Sequence, residues 1–467
     1  MMKKLTSTLC GLLFAVFAFA QSAIPVYFDE CVDLVSVIWR LSGSQEYNKC
    51  RIPQYAEKVD EYFSPFKDHP VVQLARQYQL ESGIGYDAVA SYGLHLYVDD
   101  AGHVVLDDGF LKGSDPSFDR WSEQEKEEFL KPLNDFYQKT DFHKWYEQQQ
   151  EVYEKVKESF KSVVENVDFD WFDHFFSTQS GSRFDIVLSL LVGPNNYGCS
   201  AQLKDGSYVL RPVIGSCELS ENGDFFYGQY VLPIIIHEFC HPYCNPLNTQ
   251  YWSLMSRSAE KVFVFKAEQL KKSAYLSALT MMNETFVRAS VIRYLIAHYP
   301  QVSVLDLIQD EEGQGFILVQ TLCDALKQYE QQRGSYPTMS EFMPVLAKTV
   351  NDFDLKEYIK QSKKADKLNA TYKVSIKNGA KNVPSGLYTV VIKFSKPMVQ
   401  GIAMNPSSSA DFPTFKEYKW SDDKTLHVTF YLEPDHAYGF TVLGGYHRTQ
   451  DGHTAGADRE INFVTGK

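Results

Sequence analysis

The residues best suited to chemistry lie in one short segment. Residues 234–241 read Ile-Ile-Ile-His-Glu-Phe-Cys-His. On an α-helix, residues four apart lie on the same face, so the imidazoles of His237 and His241 can bind one metal ion. Glu238 lies about 100° round the same turn, where its carboxylate can reach a water on the metal rather than the metal itself. This pattern predicts a site at which Zn²⁺ lowers the pKa of a water to about 7 and Glu238 takes its proton.

The pattern H-E-x-x-H is seldom produced by chance in a chain with 12 histidines among 467 residues. The number expected from composition is on the order of 0.02. The alternative interpretation is a surface helix with ordinary charged residues. The apolar residues Ile235, Ile236 and Phe239 argue against that interpretation, because they predict a buried segment in which a polar group needs a partner.

A catalytic zinc ion normally has three protein ligands, and this segment supplies two. The next histidine after His241 is His298, so a later carboxylate is the expected third ligand. Glu260 follows His241 by 19 residues. It stands next to Lys261 on the charged face of an amphipathic pattern, and a surface ion pair explains it equally well.

Glu284 is the second candidate for the third ligand. It lies within residues 274–298, a segment that is apolar nearly all round and therefore predicts a buried helix. A carboxylate in such a helix must meet a cation or a metal ion. Arg288, four residues on, could orient Glu284 for a metal or could explain it as a simple ion pair. Burial favours Glu284 over Glu260, and both remain candidates.

Two prolines flank the histidine segment. Pro233 suits the first turn of a helix. Pro242 cannot donate a hydrogen bond to the carbonyl of Glu238, and it disfavours helical geometry at His241. The sequence therefore predicts a helix that ends or kinks at His241.

Two short apolar segments before the histidines are predicted to be strands. Residues 184–192 form a run of branched residues, and residues 208–214 follow the turn at Asp205-Gly206. They would form a small sheet whose edge could pair with an extended peptide, or could be purely structural. Tyr197, in the turn after the first strand, is a candidate hydrogen-bond donor to an oxyanion.

The two ends of the chain have sequence patterns that differ from that of the histidine-containing region. Residues 1–20 carry Lys3 and Lys4 before an apolar stretch ending in Ala-Phe-Ala, which predicts a signal peptide and export to the periplasm, the cell surface or the medium. Residues 363–371 form a polar, charged linker. In residues 372–467 short alternating segments separated by turns predict an antiparallel β-sandwich.

Composition excludes several classes of partner. The net charge is −13 and the chain shows no basic patch of the kind that contacts a phosphate backbone, so nucleic-acid binding is not expected. No run after the signal peptide approaches 18 apolar residues, so no transmembrane segment is expected. Export would permit disulfides. Spacing suggests the pairs Cys31–Cys50 and Cys199–Cys217.

The segments 237–241 and 283–284 together resemble the gluzincin metallopeptidases, thermolysin and its relatives, which combine H-E-x-x-H with a downstream N-E helix. The resemblance implies Zn²⁺ held by His237, His241 and Glu284, with Glu238 as general base. The 42-residue gap between His241 and Glu284, longer than in thermolysin, and Pro242 depart from the gluzincin pattern.

A closer resemblance covers roughly residues 25–361. Segments 196–198, 236–245 and 283–289 are similar to an uncharacterised family of secreted bacterial proteins, known only as a domain of unknown function and thought to contain peptidases. Residues 391–398 resemble a strand of bacterial Ig-like domains, which implies a C-terminal module of that kind.

The predicted fold class is α+β. A mostly helical, zincin-like metallopeptidase domain with a small β-sheet occupies residues 21–362, with a helical part over 21–180 and the active-site part over 181–362. An all-β, Ig-like sandwich follows over 372–467. The predicted function is that of a secreted zinc metallopeptidase acting on peptides or proteins. The alternatives are a non-catalytic binding or scaffold protein with structural or vestigial zinc, and a hydrolase of another amide or an ester.

Overall fold

The computed structural model describes residues 24–177, 182–273, 275–407 and 409–467. The predicted signal peptide, residues 1–20, lies outside the described residues. The described chain is a mixture of helices, which make up about half of it, and several small sheets, so the predicted α+β class is confirmed. Among the described residues, no helix has both the length and the apolar character needed to cross a bilayer. The chain forms two compact units, one ending at Tyr243 and the other beginning at Cys244.

The first unit is mainly helical. Its helices are α1 (Glu30–Ser42), α2 (Pro53–Phe63), α3 (Pro70–Glu81), α4 (Asp87–Leu94), α5 (Glu123–Lys139), α6 (Phe142–Glu147), α7 (Gln150–Glu165) and α8 (Asp170–Phe176). Helix α1 is buried along most of its length. Asp29 caps its N-terminus, and the Asp29 side chain accepts hydrogen bonds from the N–H groups of Cys31 and Val32. Gly43 caps its C-terminus and adopts a left-handed conformation with φ 88° that glycine tolerates best.

The strands of the first unit form several small sheets. They are β1 (Val26–Phe28), β2 (Leu96–Val98), β3 (Val104–Leu106), β4 (Ser182–Phe184), β5 (Ile186–Leu188), β6 (Asn196–Tyr197), β7 (Ser200–Gln202), β8 (Tyr208–Leu210), β9 (Val213–Ile214), β10 (Cys217–Leu219) and β11 (Phe225–Tyr227). A four-stranded sheet has the order β1-β5-β9-β6, and a three-stranded sheet has the order β4-β8-β7. In the first sheet, β6 lies at an edge and runs antiparallel to β9.

The predicted strand over residues 208–214 is divided in two. Its halves, β8 and β9, belong to different sheets. Pro212 stands between them and has no N–H group to donate to a continuous ladder. The Pro212 carbonyl instead accepts a hydrogen bond from the N–H of Val187 at 3.0 Å, and this bond starts the pairing of β9 with β5.

The predicted disulfides are absent. Cys31, Cys50, Cys199 and Cys217 carry free thiols, so the pairings Cys31–Cys50 and Cys199–Cys217 are wrong. Sequence spacing does not fix the Cα separation and side-chain direction that a disulfide requires. The Cys50 thiol instead donates to the carbonyl of Ile52 at 3.5 Å. Burial raises the pKa of the Cys217 thiol to about 12.

The core of the first unit contains the carboxyl group of Asp33 on α1, which is 1% exposed. Tyr153 donates its hydroxyl to Oδ2 of Asp33 at 2.7 Å, and Ser189 donates to Oδ1 at 3.1 Å. Burial raises the pKa of Asp33 from 3.8 to about 7, although both hydrogen bonds act to lower it. A buried acid of this kind makes stability depend on pH.

We expect Asp33→Asn to weaken the pH dependence of stability. The folded chain keeps a proton on Asp33 that the unfolded chain releases above pH 3.8. The stability that Asp33 contributes is therefore complete below pH 3.8 and is lost as the pH rises through about 7. The full loss corresponds to ~4 kcal/mol of unfolding free energy. Urea unfolding at pH 5 and pH 8 measures the part of this loss that falls between the two pH values, about 3 kcal/mol, with the exposed Asp100→Asn as control. Parallel losses in wild type and Asp33→Asn would contradict the assignment.

One long helix, α9, carries the histidine segment. Helix α9 spans Val231–Lys272. The sequence predicts that this helix ends or kinks at His241, and the predicted end is wrong. A proline inside a helix costs about 3 kcal/mol or more, and aromatic packing on both sides of Pro242 offsets part of that cost. The ring of Phe239 contacts that of Phe184 with centroids 4.5 Å apart, and Tyr243 stacks on Phe176 at 4.7 Å. Each such pair contributes about 0.5–1.5 kcal/mol beyond the area it buries.

The helices that follow belong to the second unit. They are α10 (Ala278–His298), α11 (Val304–Gly313), α12 (Val319–Gln331), α13 (Met339–Asp352) and α14 (Leu355–Asp366). Ser277 caps the N-terminus of α10 by accepting a hydrogen bond from the N–H of Thr280. Most residues of α10 are buried, as the apolar pattern predicts. Because α14 ends at Asp366, the first residues of the predicted linker 363–371 are helical.

Two sheets make up the C-terminal part of the second unit. Their strands are β12 (Tyr372–Val374), β13 (Ala380–Val383), β14 (Gly386–Phe394), β15 (Met404–Pro406), β16 (Thr414–Asp422), β17 (Thr425–Leu432), β18 (Ala437–Val442) and β19 (Arg459–Thr465). The orders are β12-β14-β17-β16 and β13-β19-β18-β15. Buried side chains of both sheets, among them Ile392, Phe430 and Phe440, form one hydrophobic cluster. Strand β13 pairs parallel with β19, so the expectation of a wholly antiparallel arrangement is wrong at that strand.

Candidate metal centre

The first turns of α9 place both histidines of the H-E-x-x-H segment on one face. The imidazole centroids of His237 and His241 lie 4.8 Å apart, with an angle of 82° between the ring planes. This is the arrangement that a spacing of four residues predicts on a helix. Because the helix continues through His241, the backbone of both histidines is fixed by helical hydrogen bonds.

The carboxylate of Glu284 lies close to the two imidazoles. His237, His241 and Glu284 each offer one ligand atom, and these three atoms lie within 4.8 Å of one another. Glu284 lies on α10, and its side chain is 12% exposed. Two imidazole nitrogens and one carboxylate oxygen are a donor set that occurs in catalytic zinc sites. Bonds of about 2.1 Å in a tetrahedral site place ligand atoms roughly 3.4 Å apart, so small side-chain rotations would complete the geometry. The three residues therefore fit a zinc ion.

The structure distinguishes between Glu260 and Glu284, the two candidates for the third ligand. Glu260 is exposed and lies on the same continuous helix as His241, 19 residues further on. At 1.5 Å per residue that places it about 28 Å along the helix axis. Glu260 cannot reach an ion held by His237 and His241. Glu260 could not be excluded from the sequence, because its distance from the histidines depends on the helix continuing through Pro242.

Arg288 contacts the carboxylate of Glu284 and also that of a second acid, Glu311. Its Nη2 lies 3.5 Å from Glu284 Oε2, and its Nη1 donates to Glu311. Arg288 also packs over the ring of Phe316, 4.1 Å from the centroid. Burial acts to lower the pKa of Arg288, but the charges of Glu311 and Glu284 outweigh it and raise the pKa. A guanidinium shared between two acids can orient Glu284 while leaving part of its charge for a cation.

Glu238 faces a glycine at the end of an edge strand. A Cβ atom at Gly198, the residue after β6, would lie 2.0 Å from Oε2 of Glu238 and 2.8 Å from Oε1. The carboxylate therefore packs directly on the backbone of the segment that leaves the sheet edge. No role was predicted for Gly198. The available signal was a glycine immediately after the turn residues Asn196 and Tyr197.

We expect Gly198→Ala to displace the Glu238 carboxylate. A Cβ at 2.0 Å is closer than any real contact, so either the side chain or the strand must move. Because the clashing atoms are the far end of a flexible side chain, the cost should lie at the low end of that for overpacking, about 1 kcal/mol, which a lowered urea midpoint would show. The control is Gly334→Ala, where an added Cβ would meet nothing within 4 Å. Equal stability of both variants and wild type would contradict the close packing of Glu238.

The structure does not support Tyr197 as a donor to an oxyanion at the metal. Side chains of an extended segment alternate between faces, and the Cβ direction of the next residue, Gly198, points at Glu238. Tyr197 is 7% exposed. Burial raises the pKa of its phenol, and the charges of Glu46 and Asp87, in the helical part of the unit, raise it further.

One family model matches most of the chain. A family described as a domain of unknown function (DUF4932) matches residues 24–349, which include His237, Glu238, His241 and Glu284. The match confirms the predicted resemblance to a family known only as a domain of unknown function, over nearly the predicted range. No curated protein matches the chain.

Proposed function

We propose that this chain, which belongs to the DUF4932 family, is a zinc-dependent peptidase. The observation that supports the proposal is the group of three ligand atoms on His237, His241 and Glu284, all within 4.8 Å of one another. A second carboxylate, that of Glu238, stands one residue from the first ligand and outside this group. Ligands and base are thus different residues, as hydrolysis by an activated water requires.

The chain's own residues have separate roles in the proposed reaction. When bound, zinc would supply a Lewis acid and lower the pKa of a water. Glu238 takes a proton from the attacking water as the water oxygen adds to the peptide carbonyl carbon. Glu238 then passes the proton to the amine nitrogen as the C–N bond breaks, which balances the transfer. Arg288 contacts Glu284 at 3.5 Å and positions it.

The edge strand next to Glu238 suits a peptide substrate. Strand β6 lies at the edge of its four-stranded sheet, and Gly198 follows it in contact with Glu238. An extended peptide can add to a sheet edge through main-chain hydrogen bonds. Such pairing at β6 would bring a peptide carbonyl to the Glu238 carboxylate. Peptides and proteins are therefore the proposed substrates.

Two further parts of the prediction belong to this proposal. The predicted signal peptide at residues 1–20 would export the enzyme to the periplasm, the cell surface or the medium. The sheets after Asp366 would act as an Ig-like module that spaces the enzyme from a surface or adheres to one. A zincin-like fold for the helical part is likewise proposed.

The proposal is tested by incubating the purified chain from residue 21 onward with a degenerate peptide mixture. Mass spectrometry then detects products with zinc, with a chelator, and after zinc is restored. We expect cleavage that the chelator stops and zinc restores. Absence of cleavage by a chain with stoichiometric zinc would overturn the proposal in favour of a non-catalytic binding or scaffold protein. Turnover of ester or non-peptide amide substrates alone would identify another hydrolase.

A further inference from the structure

Five exposed lysines share one face of helix α14 and form what we call the lysine row. Its members are Lys356, Lys360, Lys363, Lys364 and Lys367. Lys367 directly follows α14 and keeps helical backbone angles, with φ −69° and ψ −18°. With 100° between successive residues, the five side chains fall within an arc of about 100°, and the row runs about 16 Å along the helix axis. Together with Ile359, the five lysines line one surface groove of about 410 Å³.

The lysine row is inconspicuous in the sequence, because other residues separate most of its members. Only the helical geometry of α14 collects them on one face. The chain as a whole has 46 basic and 59 acidic residues, which gives a net charge of −13. The lysine row is therefore a positive surface on an otherwise acidic chain.

Most lysines of the row have no acidic partner. Lys360 pairs with Glu357 at an N–O distance of 3.0 Å, and the Lys360 side chain is still 74% exposed. Among the residues that the structure describes, the other four lysines form no ion pair. Like charges four residues apart on a helix repel each other, as in the pairs Lys356–Lys360 and Lys360–Lys364. Repulsion within the row disfavours the helix, so folding does not explain the lysine row.

The helix dipole accounts for only part of the lysine row. Cations are favoured near the C-terminus of a helix, which suits Lys363 and Lys364 in the last turn of α14. Lys356 is the second residue of α14 and stands at the opposite end, where the dipole disfavours a cation. An anionic partner lying along the whole row would relieve both the repulsion and this unfavourable placement.

The other side of α14 packs on the protein. Tyr358 is half-buried, and its ring contacts that of Phe353 with centroids 5.7 Å apart. Burial lowers the pKa of Lys266 on α9, and the charges of Glu312 on α11 and Asp366 on α14 partly oppose that shift. These neighbours place the packed side of α14 against α9 and α11. The lysine row is left facing the solvent.

An exposed apolar side chain adjoins the end of the lysine row. Leu368 directly follows Lys367 and is 46% exposed. Its N–H donates to the carbonyl of Ala365 at 2.8 Å, and its own carbonyl accepts from Nζ of Lys396 at 2.6 Å. The backbone that presents this side chain is therefore fixed. Cations beside exposed apolar groups are typical of surfaces that lie on lipid headgroups, where the apolar groups enter the bilayer and the cations contact anionic lipids.

We propose that the lysine row, with Leu368 at its end, is a membrane-binding surface for bilayers that contain anionic phospholipids. Its positive charge complements the lipid phosphates, and a soluble polyanion would leave Leu368 in water. The acidic remainder of the chain does not prevent binding, because exposed charges more than about 8 Å apart are largely screened at physiological ionic strength. Binding through this surface goes beyond the proposed peptidase function and does not require the metal centre.

The test measures sedimentation of the chain from residue 21 onward with vesicles made of equal parts phosphatidylglycerol and phosphatidylcholine. We expect binding to these vesicles at about 0.1 M salt, release at higher salt, and no binding to vesicles of phosphatidylcholine alone. The triple variant Lys356→Gln/Lys363→Gln/Lys364→Gln should bind roughly 100-fold more weakly, because each lysine at an anionic surface contributes about fivefold.

The matched control removes three lysines that are paired with acids on α7. Lys155→Gln/Lys157→Gln/Lys161→Gln changes the net charge by the same amount and should bind the vesicles as wild type does. Circular dichroism shows whether each variant is folded. Absence of wild-type binding to the phosphatidylglycerol vesicles, or equal binding by the two triple variants, would overturn the proposal.

A second variant separates a membrane from a soluble polyanion. Leu368→Ser keeps every charge of the lysine row and should weaken vesicle binding several-fold, because an apolar side chain no longer enters the bilayer. The same chains are titrated with duplex DNA and with inorganic polyphosphate. Tighter binding to either polyanion than to the vesicles, with no effect of Leu368→Ser, would assign the lysine row to a soluble polyanion and overturn the proposal of a membrane-binding surface.

Discussion

Glu238→Gln is expected to reduce peptide hydrolysis by about 10²–10⁴-fold, the contribution typical of a general base, while zinc remains bound. Glutamine has the shape of glutamate but cannot accept a proton from water. Glu238 stands outside the group of three ligand atoms, so the ion should not depend on it. Initial rates on a cleaved peptide give the loss, and metal analysis of the same sample gives the zinc content.

The matched control for this variant is Glu260→Gln. Glu260 is an exposed acid on the same helix, remote from the two histidines, so its loss changes the net charge equally. Its activity should equal that of wild type. If Glu238→Gln kept more than about a tenth of the wild-type rate, or lost its zinc, Glu238 would not have the role of base that general acid–base catalysis requires.

Glu284→Gln is expected to have the second largest effect, a loss of zinc affinity. A neutral amide is a much weaker ligand than a carboxylate, and replacing a residue that merely orients a ligand already costs 10–100-fold. Loss of a direct ligand should therefore weaken zinc binding by about 100-fold or more. Competition with a chromophoric chelator measures the dissociation constant. Glu260→Gln should bind zinc as wild type does.

The fold should tolerate the Glu284 substitution. Arg288 retains its hydrogen bond to Glu311 and its contact with the ring of Phe316, so its charge keeps a partner on α11. An unchanged circular dichroism spectrum would confirm that the variant is folded. Equal zinc affinities in Glu284→Gln and wild type would show that Glu284 is only an ion-pair partner of Arg288. A loss confined to Glu260→Gln would show that the wrong acid had been assigned.

The parts of the structure that depend on local pattern were open to prediction. The helical spacing of two imidazoles in residues 237–241 determines their shared face, and the all-round apolar pattern of residues 274–298 predicts the burial of α10. Alternating residues predict the strands of residues 372–467. In each case the periodicity of side chains along one element carries the information.

The parts that depend on contacts far apart in sequence were not open to prediction. Pro242 lowers helix stability locally, but the rings around Phe239 and Tyr243 come from α8 and β4. Glu260 could be rejected as a metal ligand only because α9 is continuous past Pro242, which the structure shows. Gly198 gains its importance from Glu238, 40 residues away. Tyr86 has a positive φ of 55°, and hydrogen bonds from its backbone to Glu46 and Tyr47, which no spacing rule reveals, hold it there.

The most direct measurement of the central claim is anomalous diffraction at the zinc edge from crystals of the chain grown with zinc. We predict one strong anomalous peak about 2.0–2.2 Å from one nitrogen of His237, one nitrogen of His241 and one carboxylate oxygen of Glu284, the usual zinc–ligand distances. A peak held by other residues, or no peak at these three in crystals soaked with excess zinc, would contradict the claim that they form one metal centre.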